Sequence, residues 1–204
     1  MDILYFLIFI VIFILLPYLL LFFLLKKLCH SLVDNIVEIA LQKHEYRESN
    51  LSEFPKLNRS FYNKTQRLLE TYGFRFIADY EDMATIEGIP KSRVFIRGML
   101  NEDSTIMASI IHARKNIFMN SKILDLSTEF DDSTFIVTNN WPPSAMSISS
   151  SMINGEYLPI MTSFKKVIKH HFDKLDKSKK NPLKFSNIED IFASQYRLNG
   201  VKLK

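Results

Sequence analysis

The chain is poor in glycine, which excludes the common phosphate-binding loops. It has five glycines, at positions 73, 88, 98, 155 and 200, and no two of them lie close together. A Walker A loop or a dinucleotide fingerprint needs clustered glycines, because backbone must approach the phosphates closely. The Gly-x-Ser-x-Gly and His-Glu-x-x-His motifs are also missing. We therefore do not expect a nucleotide-dependent enzyme, a serine hydrolase with a nucleophile elbow or a zinc hydrolase whose ligands lie on one helix.

Cysteine is equally scarce, since Cys29 is the only one in 204 residues. It cannot form an intramolecular disulfide or contribute to a cysteine-rich zinc site. Its neighbour His30 is adjacent only in sequence, and no residue pattern supplies an orienting group or an oxyanion site. We predict no catalytic residue, no metal site and no cofactor, and we expect a non-enzymatic protein more than an enzyme.

Charge is missing from the N-terminal run between Ile3 and Leu25, which holds 23 residues, nearly all Leu, Ile, Phe or Val. As a helix the run would rise roughly 34 Å, slightly more than a hydrocarbon core of about 30 Å. A cleaved signal peptide fits poorly, because the apolar stretch is too long and no small-x-small site follows it. The sequence predicts a retained transmembrane anchor over residues 1–25.

The flank of this run predicts the side on which the body lies. Lys26, Lys27 and Cys29 follow the apolar residues directly, whereas the N-terminal side offers no lysine or arginine. The positive-inside rule therefore predicts a single-pass membrane protein with its body in the cytoplasm. Three Asn-x-Ser/Thr sequons, at Asn50, Asn58 and Asn63, oppose that side, and we interpret them as chance. Residues 26–55 are predicted to form a juxtamembrane stalk, helical over residues 31–43, and a loop over residues 44–55.

The rest of the chain, residues 56–204, is predicted to be one α+β domain. Amphipathic helices are expected at 57–72, at 162–177 and from about 187 to 199. Alternating apolar and polar residues predict strands at 74–80, 93–100, 105–112, 122–130 and 134–139, separated by turn residues. The predicted fold is an antiparallel β-meander with one face packed against the helices and the other face wet.

One stretch carries a family resemblance. "LDLSTEFDDSTFIVTNNWPPS", residues 124–144, and the helix that follows it resemble uncharacterised bacterial proteins with one N-terminal transmembrane helix and an α+β domain. Where that pattern carries Asp-Gly at the turn, this chain has Asp131-Asp132-Ser133. The resemblance implies a compartment and a type of fold, and no activity.

Two candidate partner surfaces come from the predicted sheet. Arg93, Arg97, Asp125 and Glu129 occupy the polar positions of their strands, and we expect cross-strand pairing between the arginines and the carboxylates. Trp141 precedes two prolines that stop strand pairing, so it is a candidate contact for a protein partner.

A third candidate surface is basic. Residues 165–184 contain two aspartates and eight lysines, which are Lys165, Lys166, Lys169, Lys174, Lys177, Lys179, Lys180 and Lys184. Such a stretch suits an anionic leaflet and its lipid headgroups, or it is an ordinary solvated helix face. Nucleic acid is not favoured, because exposed aromatic residues are not interleaved with the lysines.

Two functions remain open on these patterns. The first is a membrane-anchored component that binds the lipid bilayer and a protein partner, or helps to assemble a membrane complex. The alternative is a membrane-tethered enzyme for a lipid or envelope substrate, using His112, His170 or the carboxylates. A buried pocket holding two of those groups would favour the enzyme. His171 lies on the apolar stripe of its helix and is expected to be partly buried and hydrogen-bonded, with His170 solvated.

Overall fold

A computed structural model describes residues 13, 18–27, 43–86, 89–114, 120–141 and 151–202. The chain divides into two units, Met1–Gln42 and Lys43–Lys204. Within the first unit, the described residues 18–27 are helical and exposed. The second unit holds the sheet and the helices that follow.

The second unit is built on one seven-stranded sheet whose strands lie in the order in which they occur along the chain. Strands β1 to β6 pair antiparallel, and β7 pairs parallel with β6. The bounds are β1 Lys43–Glu48, β2 Phe74–Ile86, β3 Ile89–Asn101, β4 Met107–Arg114, β5 Asn120–Glu129, β6 Phe135–Asn139 and β7 Ile153–Tyr157. The prediction of a purely antiparallel meander is therefore wrong, because β7 makes the sheet mixed. The α+β class is confirmed.

Three α-helices flank the sheet: α1 Arg59–Glu70, α2 Phe164–Lys177 and α3 Ile188–Lys202. Each lies close to a position predicted from the helical period. The Asn58 side chain caps α1 by accepting a hydrogen bond from the Phe61 N–H, which satisfies one of the free donors at the helix start. Beyond the helix end, Gly73 has φ +79°, a backbone conformation that glycine adopts without steric cost.

Both faces of the sheet are covered, which the sequence did not predict. On the first, here named the helix-pair face, Tyr62 of α1 and Val167 of α2 pack with Phe95 and Leu124 of the sheet. On the second, the single-helix face, α3 covers two apolar clusters that include Tyr80, Leu100, Met107, Ile191 and Phe192. The prediction of one packed and one wet face is wrong, because strands that alternate in polarity are here buried on both sides.

A short chain segment connects the two covering layers. Residues 181–185 run along one end of the sheet, where the Leu183 N–H donates to the Glu129 carbonyl and the Phe185 N–H donates to the Ser104 carbonyl. Pro182 forms an isolated bridge with Phe130. This segment carries the chain from α2 on the helix-pair face to α3 on the single-helix face.

The predicted membrane anchor is contradicted within the described residues. Of the predicted spanning helix, the structure describes residue 13 and the stretch 18–25, and no helix of the described residues is long and apolar enough to cross a membrane. The predictions of a single-pass membrane location and of a cytoplasmic body rested on that helix, and this finding overturns them.

Two further predictions differ from the structure. The loop expected after residue 43 begins instead with β1, which pairs with β2 along its whole length. No strand was predicted between residue 139 and the helix at 162–177, where the structure has β7. The predicted helical stalk over residues 31–43 lies almost entirely outside the described residues.

Candidate functional site

A cleft of about 420 Å³ opens on the helix-pair face, beside the C-terminal end of α2. Three lysines line it: Lys174 and Lys177 from the last turn of α2 and Lys180 just beyond it. The remaining lining residues carry no charge, and they include Thr134, Ser151 and Ser178. We call this feature the basic cleft, because its described lining contains three cations and no carboxylate.

Lys174 connects α2 to the edge strand β7. Its Nζ lies 3.0 Å from Asn154 Oδ1 and 3.5 Å from Glu156 Oε2. The same Glu156 also pairs with His170, whose Nδ1 lies 3.0 Å from Oε1. Lys174 is half-buried, so these contacts fix the position of one wall of the basic cleft.

Lys180 is held on the opposite side by the turn between β5 and β6. Its Nζ lies 2.7 Å from Asp132 Oδ2, donates to Thr134 Oγ1 at 2.7 Å, and lies 5.8 Å from the centre of the Phe130 ring. The hydrogen bonds from Lys180 and Thr134 lower the pKa of Asp132 to about 2. The carboxylate therefore stays charged and keeps Lys180 in place at neutral pH.

Lys177 is the free cation of the basic cleft. It is exposed, and it forms no hydrogen bond or ion pair within the part of the chain that the structure describes. A helix C-terminus carries a partial negative charge of about half an elementary unit, so lysines there also stabilise the helix. Because Glu156 and Asp132 pair with Lys174 and Lys180, the excess positive charge of the cleft comes from Lys177.

The predicted basic surface is thus divided by the structure. Lys174, Lys177 and Lys180 share the basic cleft. The other five lysines are exposed and do not line it: Lys165, Lys166 and Lys169 on α2, and Lys179 and Lys184 after it. Within the first unit, Lys26 and Lys27 are exposed at the end of the stretch 18–27, and Cys29 lies outside the described residues.

The predicted polar sheet face does not exist as one surface. Arg97 pairs in register with Ile110, which pairs with Leu124, so Arg97 lies on the helix-pair face. Asp125 and Glu129 lie on the single-helix face, because their strand alternates and Leu124 points the other way. Arg93 shares the face of Arg97, since both occupy alternate positions of β3. The expected pairing of these arginines with these carboxylates is therefore wrong.

Each of those four residues has a different partner. Arg97 makes two 2.8 Å bonds to Asp79, and Arg93 donates to the buried Glu81 at 2.7 Å. Burial alone would raise the pKa of Glu81, but hydrogen bonds from Arg93 and Arg47 outweigh it and lower that pKa. On the other face, Asp125 accepts from Asn139. Glu129 accepts two bonds from Arg197 of α3, at 2.6 and 2.9 Å.

The histidines do not converge on a pocket. His112 is buried on the helix-pair face, where its Nδ1 lies 3.1 Å from the Asn58 N–H. His170 pairs with Glu156, and the buried His171 lies between Thr128 and Thr138. The predicted hydrogen bonding of His171 is confirmed, and its burial is complete rather than partial. His170, expected to be solvated, is half-buried because it pairs with Glu156. His112 and His170 are not brought together, and among the described residues no group of three or more metal-ligating side chains could hold a metal ion.

Trp141 is partly exposed, and its backbone N–H donates to Asn139 Oδ1. Residues 142–150, which include the two prolines beside it, lie outside the described residues. Its role as a partner contact stays a prediction. Asn154 and Glu156 were not predicted as site residues, because "INGEY" contains Gly and Asn, which are depleted in strands.

Comparisons with protein-family models, with curated proteins and with solved structures find no match for this chain. The family resemblance of residues 124–144 stays a prediction.

Proposed function

We propose that the Lys43–Lys204 unit is a protein-binding module that recognises an acidic segment of its partner at the basic cleft. The observation that carries this proposal is the grouping of Lys174, Lys177 and Lys180 around one cavity whose described lining has no carboxylate. An acidic segment fits such a cavity because carboxylates would replace the missing counter-charge. Within the cavity, exposed Lys177 is the cation whose charge is not already matched.

The other lining groups support the same kind of ligand. The hydroxyls of Ser151 and Ser178 can donate hydrogen bonds to carboxylate oxygens, whereas the Thr134 hydroxyl already donates to Asp132. The volume of the cleft lies within the range of protein ligand sites. The cleft is formed by the end of a helix, a tight turn and a strand, so its walls are positioned by regular structure. Two of its three cations are held by Asp132 and Glu156, which favours a preformed site.

Titration of the full-length protein with a fluorescein-labelled acidic peptide tests this proposal. Lys177→Ala is expected to weaken binding by about two- to fivefold, the usual value of one exposed ion pair, and Lys177→Glu by on the order of tenfold. Lys179→Ala is the matched control, because Lys179 is an exposed lysine two residues away that does not line the cleft. Equal effects of Lys177→Ala and Lys179→Ala would contradict a site at the cleft.

A further inference from the structure

The edge strand β7 leaves one side of its backbone open. The sheet ends at β7, and no described strand pairs with its other side, here named the outer edge. The Phe135 N–H donates to the Met152 carbonyl, and the Leu158 N–H donates to the Asn139 carbonyl. Because backbone groups alternate in direction along a strand, the even-numbered residues of β7 face β6. Ile153, Gly155 and Tyr157 therefore direct their N–H and C=O groups to the outer edge.

The two edges of the sheet differ in their protection. Exposed edge strands normally carry charged side chains, proline or bulges that discourage the addition of another strand. The opposite edge, β1, follows this rule with the sequence KHEYRE, which contains four charged residues. Strand β7 has the sequence INGEY, with no lysine, arginine or proline. Its one charged side chain, Glu156, is paired with Lys174 and His170 of α2.

The outer edge lies next to the basic cleft. Asn154 lines the cleft and Glu156 contacts Lys174, so the side chains at alternate positions of β7 point to the helix-pair face. A strand added at the outer edge would alternate in the same way. Every second side chain would then lie on the face of Lys174, Lys177 and Lys180. Gly155, at the centre of the edge, presents no side chain of its own to the incoming strand.

We propose that the acidic segment binds as an eighth strand along the outer edge of β7, with alternate carboxylates directed to the lysines of the basic cleft. This inference rests on the proposed function, since it states how the same partner lies. Backbone hydrogen bonds to Ile153, Gly155 and Tyr157 would supply affinity, and the lysines would select acidic side chains at every second position.

Two peptides of equal composition test the inference on the wild-type full-length protein. In one, glutamate and threonine alternate over ten residues; in the other, five glutamates precede five threonines. We expect the alternating peptide to bind about tenfold more tightly, and hydrogen exchange at the Gly155 amide to slow when it binds. Equal affinities with unchanged exchange would overturn strand addition.

A pair of variants at Gly155 separates backbone pairing from shape. Gly155→Pro removes the outward N–H without touching the bonds to β6, whereas Gly155→Ala adds a similar Cβ and keeps the N–H. That Cβ lies 3.1 Å from an atom of the Tyr157 ring in both variants, so the alanine variant controls for crowding. Gly155→Pro is expected to weaken the alternating peptide about tenfold relative to Gly155→Ala.

The outcomes distinguish the two proposals. If the two Gly155 variants bind alike while Lys177→Ala still weakens binding, strand addition is wrong and the acidic site stands. If neither peptide binds the wild-type protein, the proposed function fails and the inference fails with it. Circular dichroism on both Gly155 variants checks that each retains the fold.

Discussion

The buried imidazole of His171 makes the free energy of unfolding of the domain depend on pH. The imidazole is fully buried, with Nε2 3.0 Å from Thr128 Oγ1 and Nδ1 3.2 Å from Thr138 Oγ1. A neutral ring has one donor and one acceptor, and the two hydroxyls can satisfy both. Burial, together with the charge of Lys174, lowers the pKa of His171 from 6.5 to about 3.

The direction of the effect follows from which state binds the proton. Between pH 6.5 and pH 3 the unfolded chain protonates this histidine and the folded protein does not, so the free energy of unfolding falls as the pH falls. The stabilisation is complete above pH 6.5 and decreases by about 1.4 kcal/mol per pH unit below it. Between pH 7 and pH 5 the loss is about 2 kcal/mol, a large part of the 5–15 kcal/mol typical of a domain.

Urea unfolding of the wild type and of His171→Gln, measured at several pH values from 7 to 5, tests this reasoning. Glutamine keeps a donor and an acceptor but does not titrate, so the stability gap between the two proteins is expected to shrink by about 2 kcal/mol as the pH falls. Val167→Ala removes buried volume on the same helix without a titratable group and is expected to show a constant gap. A gap for His171→Gln that stays constant within about 0.5 kcal/mol would refute the pKa shift as its source.

Two further predictions concern stability. Arg197→Ala leaves the buried Glu129 without its partner and is expected to lower the free energy of unfolding in urea by about 3 kcal/mol. Adding Glu129→Leu removes the unpaired buried charge and should recover most of this loss. A double variant that recovers nothing would show that the arginine acts through packing. Ser133 has φ +59°, so Ser133→Gly is expected to stabilise the domain by about 0.5–1 kcal/mol and to raise its Tm. Ser163 has φ −64°, so the control Ser163→Gly should lower the Tm. Equal changes in Tm for the two variants would exclude backbone strain as the cause.

The elements that local periodicity could predict are those with one clear apolar stripe. Helices α1 and α2 and strands β3 to β6 each repeat apolar residues at the spacing of their structure, and each was found close to its predicted position. The partial burial expected of His171 followed from the same pattern, because His171 shares the stripe of Val167 and Ile168; the structure buries it completely. Strands β1 and β7 carry no such stripe. Both are edge strands, held by pairing with a neighbour on one side.

The faces of the sheet could not be predicted, because their polar residues depend on partners distant in sequence. From the sequence alone Arg97 is expected to face solvent. In the structure it donates hydrogen bonds to Asp79, Asn63 and Gln66. Glu129 is neutralised by Arg197, 68 residues later in the chain. The local alternation of a strand identifies a residue as polar but does not show whether a residue of another element pairs with it. The same omission explains why Arg93 and Asp125 were expected on one surface.

The basic cleft and the outer edge of β7 share one structural origin. The chain returns to the sheet with β7 parallel to β6, and α2 then packs over β5 and β6, with its last turn above the start of β7. This arrangement places the outward backbone groups of β7 beside the cleft in which Lys177 has no partner among the described residues. At the opposite edge, the charged side chains of β1 discourage strand addition. The asymmetry between the two edges therefore favours β7 as the side at which a partner binds.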